Sequence, residues 1–389
     1  MASFWSTVFL LYAVLIFLIS IQITFGSSRC YKSIISFGDS LADTGNLLSL
    51  ETPDHPARSK LPPYGKSFFG HPTGRFSDGR LVIDFIAESL GLPLVSPYFE
   101  GANVRRRDFG DGVNYAVAGA TALEDSFFQK RGIRVRSTNV SLGSQVDWFK
   151  EMFASLCQKS SDCKEFLRNS LILMGEIGGN DYNHALLDGR SIKEVRTFVP
   201  FVVGTIASAI KELIELGAVT LIVPGDLPIG CSAAYLTYFR SSNKLDYDPA
   251  GCLKWLNKFS KYHNQMLQKE IKSLRKIHSH ANIIYADYYG AAAQIYRSPI
   301  KLGIKWTLKA CCGGGGPYNY NASALCGYQS TTCCVDPLLH ACWDGLHLTE
   351  AAYRVIARGL IQGPYANPPM NNACILSTPS GNSGPVFLG

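Results

Sequence analysis

The feature that most constrains this chain is a series of short apolar runs separated by helical spans. Ser33-Ile34-Ile35-Ser36-Phe37, Leu171-Ile172-Leu173-Met174, residues 219–223 and Ile283-Ile284-Tyr285-Ala286-Asp287 are each nearly continuous in apolar side chains. Val113-Asn114-Tyr115-Ala116-Val117 alternates in the manner of a strand. A strand that is apolar on both sides has to be covered on both faces. Strands of this kind alternating with helices predict a parallel sheet between two helical layers.

The helical spacing supplies the cover. Leu81, Ile83, Phe85, Ile86 and Leu90 mark one amphipathic helix, stopped by Gly91, and residues 142–156 mark a second through Val146, Phe149, Met152 and Phe153. Ser191 and Glu194 form a capping-box pattern for a long helix ending at Gly217, with a kink or break expected near Pro200. Leu253, Leu256, Met266, Leu267, Ile271 and Leu274 are core candidates of a further long helix over 251–278. The chain has 389 residues, 47% of them hydrophobic and only 17% charged, which suits a large core and excludes extensive disorder. No internal repeat or long linker divides the α/β pattern into two domains.

Residues 1–28 carry no charged side chain and contain an apolar run from Val8 to Ile19, with the small residues Thr24 and Gly26 beyond it. They read as a secretory signal peptide, assigned to residues 1–27, although no Lys or Arg precedes the run; a retained membrane anchor is the alternative. The mature domain is then 28–366, and 367–389, rich in Pro, Ser, Gly and Asn, is expected to be a poorly ordered tail. All 12 cysteines lie beyond the signal, from Cys30 to Cys374, and an even number on the secretory route reads as disulfides. Cys311, Cys312, Cys326, Cys333, Cys334 and Cys342 lack the paired C-x-x-C spacing of zinc modules, so disulfides are preferred to a metal site there too. The sequons at Asn139 and Asn321 are compatible with glycosylation. A net charge of +7 is modest, and Arg105-Arg106-Arg107 has no interleaved aromatics, which fits a solvated loop better than a nucleic-acid face. The run from Gly313 to Gly316 is followed by no Lys-Ser/Thr pair and reads as a flexible, disulfide-flanked loop.

Four positions carry chemistry. Ser40 follows the first strand through Gly38 and Asp39, where open α/β sheets bind ligands. Gly119 lies in the small-residue turn after the second, Asn180 in Gly178-Gly179-Asn180-Asp181 after the third, and Asp344 and His347 three residues apart near the end. Acyl transfer from an ester needs a nucleophile, a base, a group that orients the base, and donors for the oxyanion. Ser40, His347 and Asp344 can fill the first three roles. The N–H groups of Ser40 and Gly119 with the amide of Asn180 can fill the fourth. Each feature also has a plainer account: a helix cap at Ser40, a tight turn at Gly119, an Asx turn at Asn180, and local hydrogen bonding between Asp344 and His347. The rival base His340 lacks an acid three residues earlier, where Pro337 stands.

Phe37-Gly38-Asp39-Ser40-Leu41-Ala42-Asp43-Thr44-Gly45-Asn46, Asn114 to Thr121, Gly178 to Asp181, and Asp344-Gly345-Leu346-His347 resemble, in order, the four blocks of the GDSL esterase/lipase, or SGNH hydrolase, family. The resemblance implies a flavodoxin-like three-layer α/β/α sandwich with a central parallel sheet. It also implies Ser40 as nucleophile, Asp344 and His347 behind it, and Ser40, Gly119 and Asn180 as the oxyanion hole. It implies no cofactor and no metal. One departure is Leu47, where many plant members carry a second Asn. No G-x-S-x-G elbow occurs, which argues against the α/β-hydrolase fold.

Residues 73–80, 226–231 and 311–320 are similar to the secreted plant branch, of the sinapine esterase and acetylajmalan esterase type. That points to a small-molecule ester of specialised metabolism, including acetylated alkaloids, as substrate, and to an extracellular, apoplastic or vacuolar location. Competing readings are an acyltransferase built on the same acyl-enzyme, a lipase for longer chains, and a catalytically silent lectin-like or cell-wall protein. Nothing in the sequence bears on oligomeric state.

Overall fold

The computed structural model describes residues 30–51, 57–99, 109–135, 137–156 and 160–370. The chain divides into two units, and the fold belongs to the one spanning Tyr31–Ile375; of the other, Met1–Cys30 with Leu376–Gly389, only Cys30 is among the described residues. The signal-peptide segment, the Arg105-Arg106-Arg107 run and most of the C-terminal tail lie outside them.

All five expected strands form, and they pair into one sheet: β1 (Ser33–Ser36), β2 (Gly112–Asn114), β3 (Ser170–Leu173), β4 (Thr220–Pro224) and β5 (Asn282–Ala286). Their spatial order is 5-4-3-1-2, every pair parallel, with Ile34 opposite both Gly112 and Leu171. A sixth strand has no counterpart in the sequence pattern. Ala366–Asn367 (β6) runs antiparallel along the β5 edge, Ala366 facing Ala286, and Met370 beyond it is buried. The packed chain therefore continues past the expected domain end at 366.

Strand residues alternate between two covered faces, which explains their unbroken apolar character. Ile35, Ile172, Leu221 and Ile283 enter one core with α2 (Leu142–Leu156), α5 (Val199–Leu216) and α6 (Lys254–Ile277). Ile34, Leu171, Ile222 and Ile284, equally buried, face the other way. On that side α1 (Val82–Ser89), α7 (Tyr288–Arg297) and α8 (Glu350–Ile361) pack on one another. The result is a three-layer α/β/α sandwich.

The helix expected to run from Ser191 to Gly217 is two helices, α4 (Ile192–Arg196) and α5, broken at Thr197 and Phe198. Pro200 sits in the first turn of α5, where its missing N–H costs nothing. Ser191 caps α4 by accepting from the Glu194 N–H at 3.2 Å. The stretch from Ile192 to Leu216 is long and apolar enough to cross a membrane by composition, but half of it is buried in the protein core.

The cysteine-rich segment is a disulfide-stapled extension rather than a metal module. Cys311 bonds Cys334, Cys312 bonds Cys326, and Cys231 bonds Cys252. Among the described residues Cys333 and Cys342 are free thiols. Gly313 is not in a flexible loop: Cys312–Gly313 pairs with Thr332–Cys333, and a Cβ at Gly313 would collide with the Asn319 carbonyl.

Candidate active site

The spatial order reverses between β1 and β3, the switch point where open α/β sheets form a crevice. The chain leaves β1 through Gly38 (φ 131°) and leaves β3 through Gly175 (φ 60°), and these two turns touch. A Cβ on Gly175 would overlap the Phe37 carbonyl, so close approach of the two turns requires glycine. Gln145 on α2 holds the first turn from both sides: its Nε2 donates to the Gly38 carbonyl and its Oε1 accepts from the Gly38 N–H, each at 2.8 Å. Ser40 follows two residues later.

The rest of the first block is a clamp. Asp43 accepts from the N–H groups of Gly45 at 2.7 Å, Asn46 at 2.6 Å and Leu47 at 3.1 Å, and across the site from Ala118 at 2.8 Å. Asn46 donates to the carbonyls of Asn114 and Ala116, and Asn114 returns a bond to the Ala42 carbonyl. The Ser40 turn and the Gly119 turn are thereby one rigid piece. Asp181, in α3 (Gly179–Leu187), joins the third block to it by accepting from Ala122 and Leu123 N–H at 2.8 and 3.0 Å.

Asp344 and His347 precede α8, whose N-cap is Thr349. The block at residues 73–80 anchors this helix from outside. Arg80 pairs with Glu350 at 2.7 Å and with Glu88 at 2.9 Å, and Asp78 accepts from the Glu350 N–H at 2.8 Å. Asp344 Oδ1 accepts from the N–H groups of Leu346 and His347, so the local turn anticipated as the plain account does exist. It coexists with a longer relay. His347 Nδ1 lies 2.8 Å from Asp344 Oδ2, and Nε2 lies 2.8 Å from Ser40 Oγ. With an ionised carboxylate behind it, Nδ1 carries the hydrogen and Nε2 is left to accept from the serine hydroxyl.

Burial alone would raise the Asp344 pKa. The neighbouring His347 more than reverses this, with help from Arg58 and the backbone bond, and holds the carboxyl well below the ordinary range. Tyr64 donates to Asp344 Oδ2 at 2.7 Å from 280 positions away, a contact that nothing in the sequence signals. Phe76 packs on the His347 ring with centroids 4.6 Å apart. His340 is not part of this arrangement; its Nδ1 lies 3.2 Å from the Lys309 carbonyl.

Ser40, Gly119 and Asn180 line one cavity of about 460 Å³ with Asp344 and His347. Among the described residues, the N–H groups of Ser40 and Gly119 donate to nothing. Gly119 has φ 85°, and a Cβ there would strike the Ser137 side chain. Asn180 differs from expectation in one respect. Its Nδ2 already donates to Asp39 Oδ2 at 2.8 Å and to the Ala120 carbonyl at 3.0 Å. Leu47, the departure noted in the first block, also lines the cavity.

The model of the GDSL-like Lipase/Acylhydrolase family matches residues 34–360. The chain belongs to this family. It is 56% identical over 351 residues to the GDSL esterase/lipase At1g28590 of Arabidopsis thaliana, covering 90% of this chain and 86% of that protein. It is 52% identical over 352 residues to the sinapine esterase of Brassica napus, covering 90% of each. A catalytic mutant of the acetylxylan esterase Axe2 from Geobacillus stearothermophilus aligns over 69% of this chain and 80% of its own, with 14% identity and a TM-score of 0.32. Membership makes this GDSL chain a carboxylic ester hydrolase.

Proposed function

We propose that Ser40 is the nucleophile of a secreted serine esterase that acts on small-molecule esters through an acyl-enzyme. His347 removes the Ser40 proton as Oγ attacks the ester carbonyl, while Asp344 orients the imidazole and stabilises its cation. The oxyanion is met by the N–H groups of Ser40 and Gly119, which have no competing acceptor among the described residues. Asn180 contributes by sharing an amide hydrogen that Asp39 otherwise accepts. His347 returns the proton to the leaving alcohol, and water repeats the sequence on the acyl-enzyme. The observation that carries the reading is the unbroken Ser40–His347–Asp344 relay at 2.8 Å per step, facing a cavity.

Esters of plant specialised metabolites, including alkaloids, fit a half-open and largely apolar cavity of about 460 Å³. The uncharged N-terminal run supports entry to the secretory pathway, and the three disulfides described above suit it. Asn139 and Asn321 are both exposed, as glycan acceptors must be. The test is hydrolysis of p-nitrophenyl acetate. Ser40→Ala should lose turnover while keeping the circular dichroism spectrum of the parent, and full activity in that variant would remove Ser40 from the mechanism.

A further inference from the structure

The cavity beside Ser40 has an acidic end that ester cleavage uses only where Asp39 meets Asn180. Asp39, Glu176 and Asp226 line it, all buried, and they arrive from the exits of three different strands, β1, β3 and β4. Two of them are satisfied by the protein. Asp39 accepts from the Leu41 N–H at 2.9 Å and from Asn180 Nδ2, and Glu176 Oε1 accepts from the Gly179 N–H at 3.2 Å.

Asp226 is different. Its backbone is pinned on both sides by Asn264, whose Oδ1 accepts from the Asp226 N–H at 2.7 Å and whose Nδ2 donates to the Asp226 carbonyl at 3.0 Å. Its carboxylate Oδ2, in a residue only 3% exposed, has no hydrogen-bond partner among the described residues. Burial pushes this carboxyl well above its ordinary range, and the neighbouring Glu176 adds to the effect; Ser260 and the Leu227 backbone pull the other way without offsetting it. The cavity's guanidinium, Arg58, acts on Tyr64, Asp344, Tyr320 and Tyr328 instead.

A fixed, buried carboxyl oxygen without a partner and with a second carboxyl beside it lacks two things, a hydrogen-bond donor and a positive charge that would favour its ionised form. A protonated amine supplies both in one group, and charge-assisted bonds are the strong ones. Tyr235, Tyr296 and Leu227 in the same lining suit the carbon framework around such a nitrogen. We propose that this end of the cavity is a subsite for a protonated amine carried by the ester, with the ammonium N–H donating to Asp226 Oδ2. The ester part rests on the function proposed above; the amine subsite stands on the cavity itself.

The test is a ligand-observed NMR titration of the full chain near neutral pH with three alcohols of nearly equal shape. They are 2-(dimethylamino)ethanol, which is protonated, choline, which has the charge but no N–H, and 3-methylbutan-1-ol, which has neither. The amine should bind about tenfold tighter than the neutral alcohol, with choline between them. Asp226→Asn should bring the amine and neutral affinities within about threefold of each other. An amine that binds no tighter than 3-methylbutan-1-ol in the parent protein overturns the inference without recourse to any variant. An unchanged preference in a folded Asp226→Asn protein does the same. Turnover of p-nitrophenyl acetate by the same preparation separates the two claims. Turnover without amine preference sinks the subsite alone, and amine preference without turnover sinks the esterase reading alone.

Discussion

Removing one hydroxyl group 280 positions from Asp344 should weaken the whole fold in a pH-dependent way. In Tyr64→Phe the ring keeps its edge contacts with Phe76 and Trp343, each at a centroid distance of 5.8 Å, so the change is confined to the 2.7 Å bond to Asp344 Oδ2. A hydrogen bond to a buried charge contributes about 1.5–3 kcal/mol. By linkage, that loss raises the folded-state pKa of Asp344 by about 1 to 2. Asp344 is held below its unfolded-state value. Its stabilising contribution is therefore complete above about pH 4 and disappears as pH falls through the folded value. Raising the folded value leaves the onset where it is, makes the contribution smaller and exhausts it at higher pH. Urea unfolding at pH 7 with the disulfides intact should show Tyr64→Phe destabilised by about 1.5–3 kcal/mol. Its acid-unfolding midpoint should also move to higher pH. A difference below about 0.5 kcal/mol at pH 7, or an unmoved acid midpoint, would show that Tyr64 contributes packing only.

Gln145→Leu leaves the Gly38 N–H buried without a partner and its carbonyl with only the Val117 N–H at 3.2 Å, which should cost about 1–3 kcal/mol in urea unfolding and lower kcat through the loosened Ser40 turn; an unchanged midpoint would refute this. Asn180→Ala should reduce kcat about 100-fold with KM little changed, and a kcat within about threefold of the parent would leave the oxyanion to backbone donors alone. Burial pushes Asp39 and Asp181 up to about 7, above their unfolded values, so their contribution is present at low pH and lost as pH rises toward 7. His263, lowered by burial to about 4, and His340, also lowered by burial, act in the opposite sense, but Asp43, raised by burial to about 6, acts with the two aspartates. The urea midpoint should accordingly fall between about pH 5 and pH 7.5, and a rise would mean these carboxyls are not held neutral in the fold.

The parts of this molecule that can be read from sequence are those whose physical signal is local. Doubly buried strands announce themselves because every side chain of Ile34-Ile35 or Leu171-Ile172 has to be apolar. Ser40, Gly119, Asn180 and the Asp344–His347 pair stand out because each sits in a short block of turn-forming residues at a strand exit or before a helix. Gln145 and Tyr64 are not legible in this way. Each is an ordinary residue locally and gains its role only when strands and loops distant in sequence converge. The β6 edge escapes a reading of the sequence because two residues carry no periodicity. A proline inside a helical span predicts a break near Pro200, and the break between α4 and α5 falls just before it because proline suits a first helical turn better than an interior one.

Everything proposed for the chemistry depends on Ser40 being the residue that attacks. Intact protein treated with a fluorophosphonate probe, then digested and analysed by peptide mass spectrometry, tests this directly. A single phosphonyl adduct is expected on Ser40, absent from Ser40→Ala and suppressed in His347→Ala. An adduct on another residue, or none in a protein that hydrolyses p-nitrophenyl acetate, would contradict the assignment.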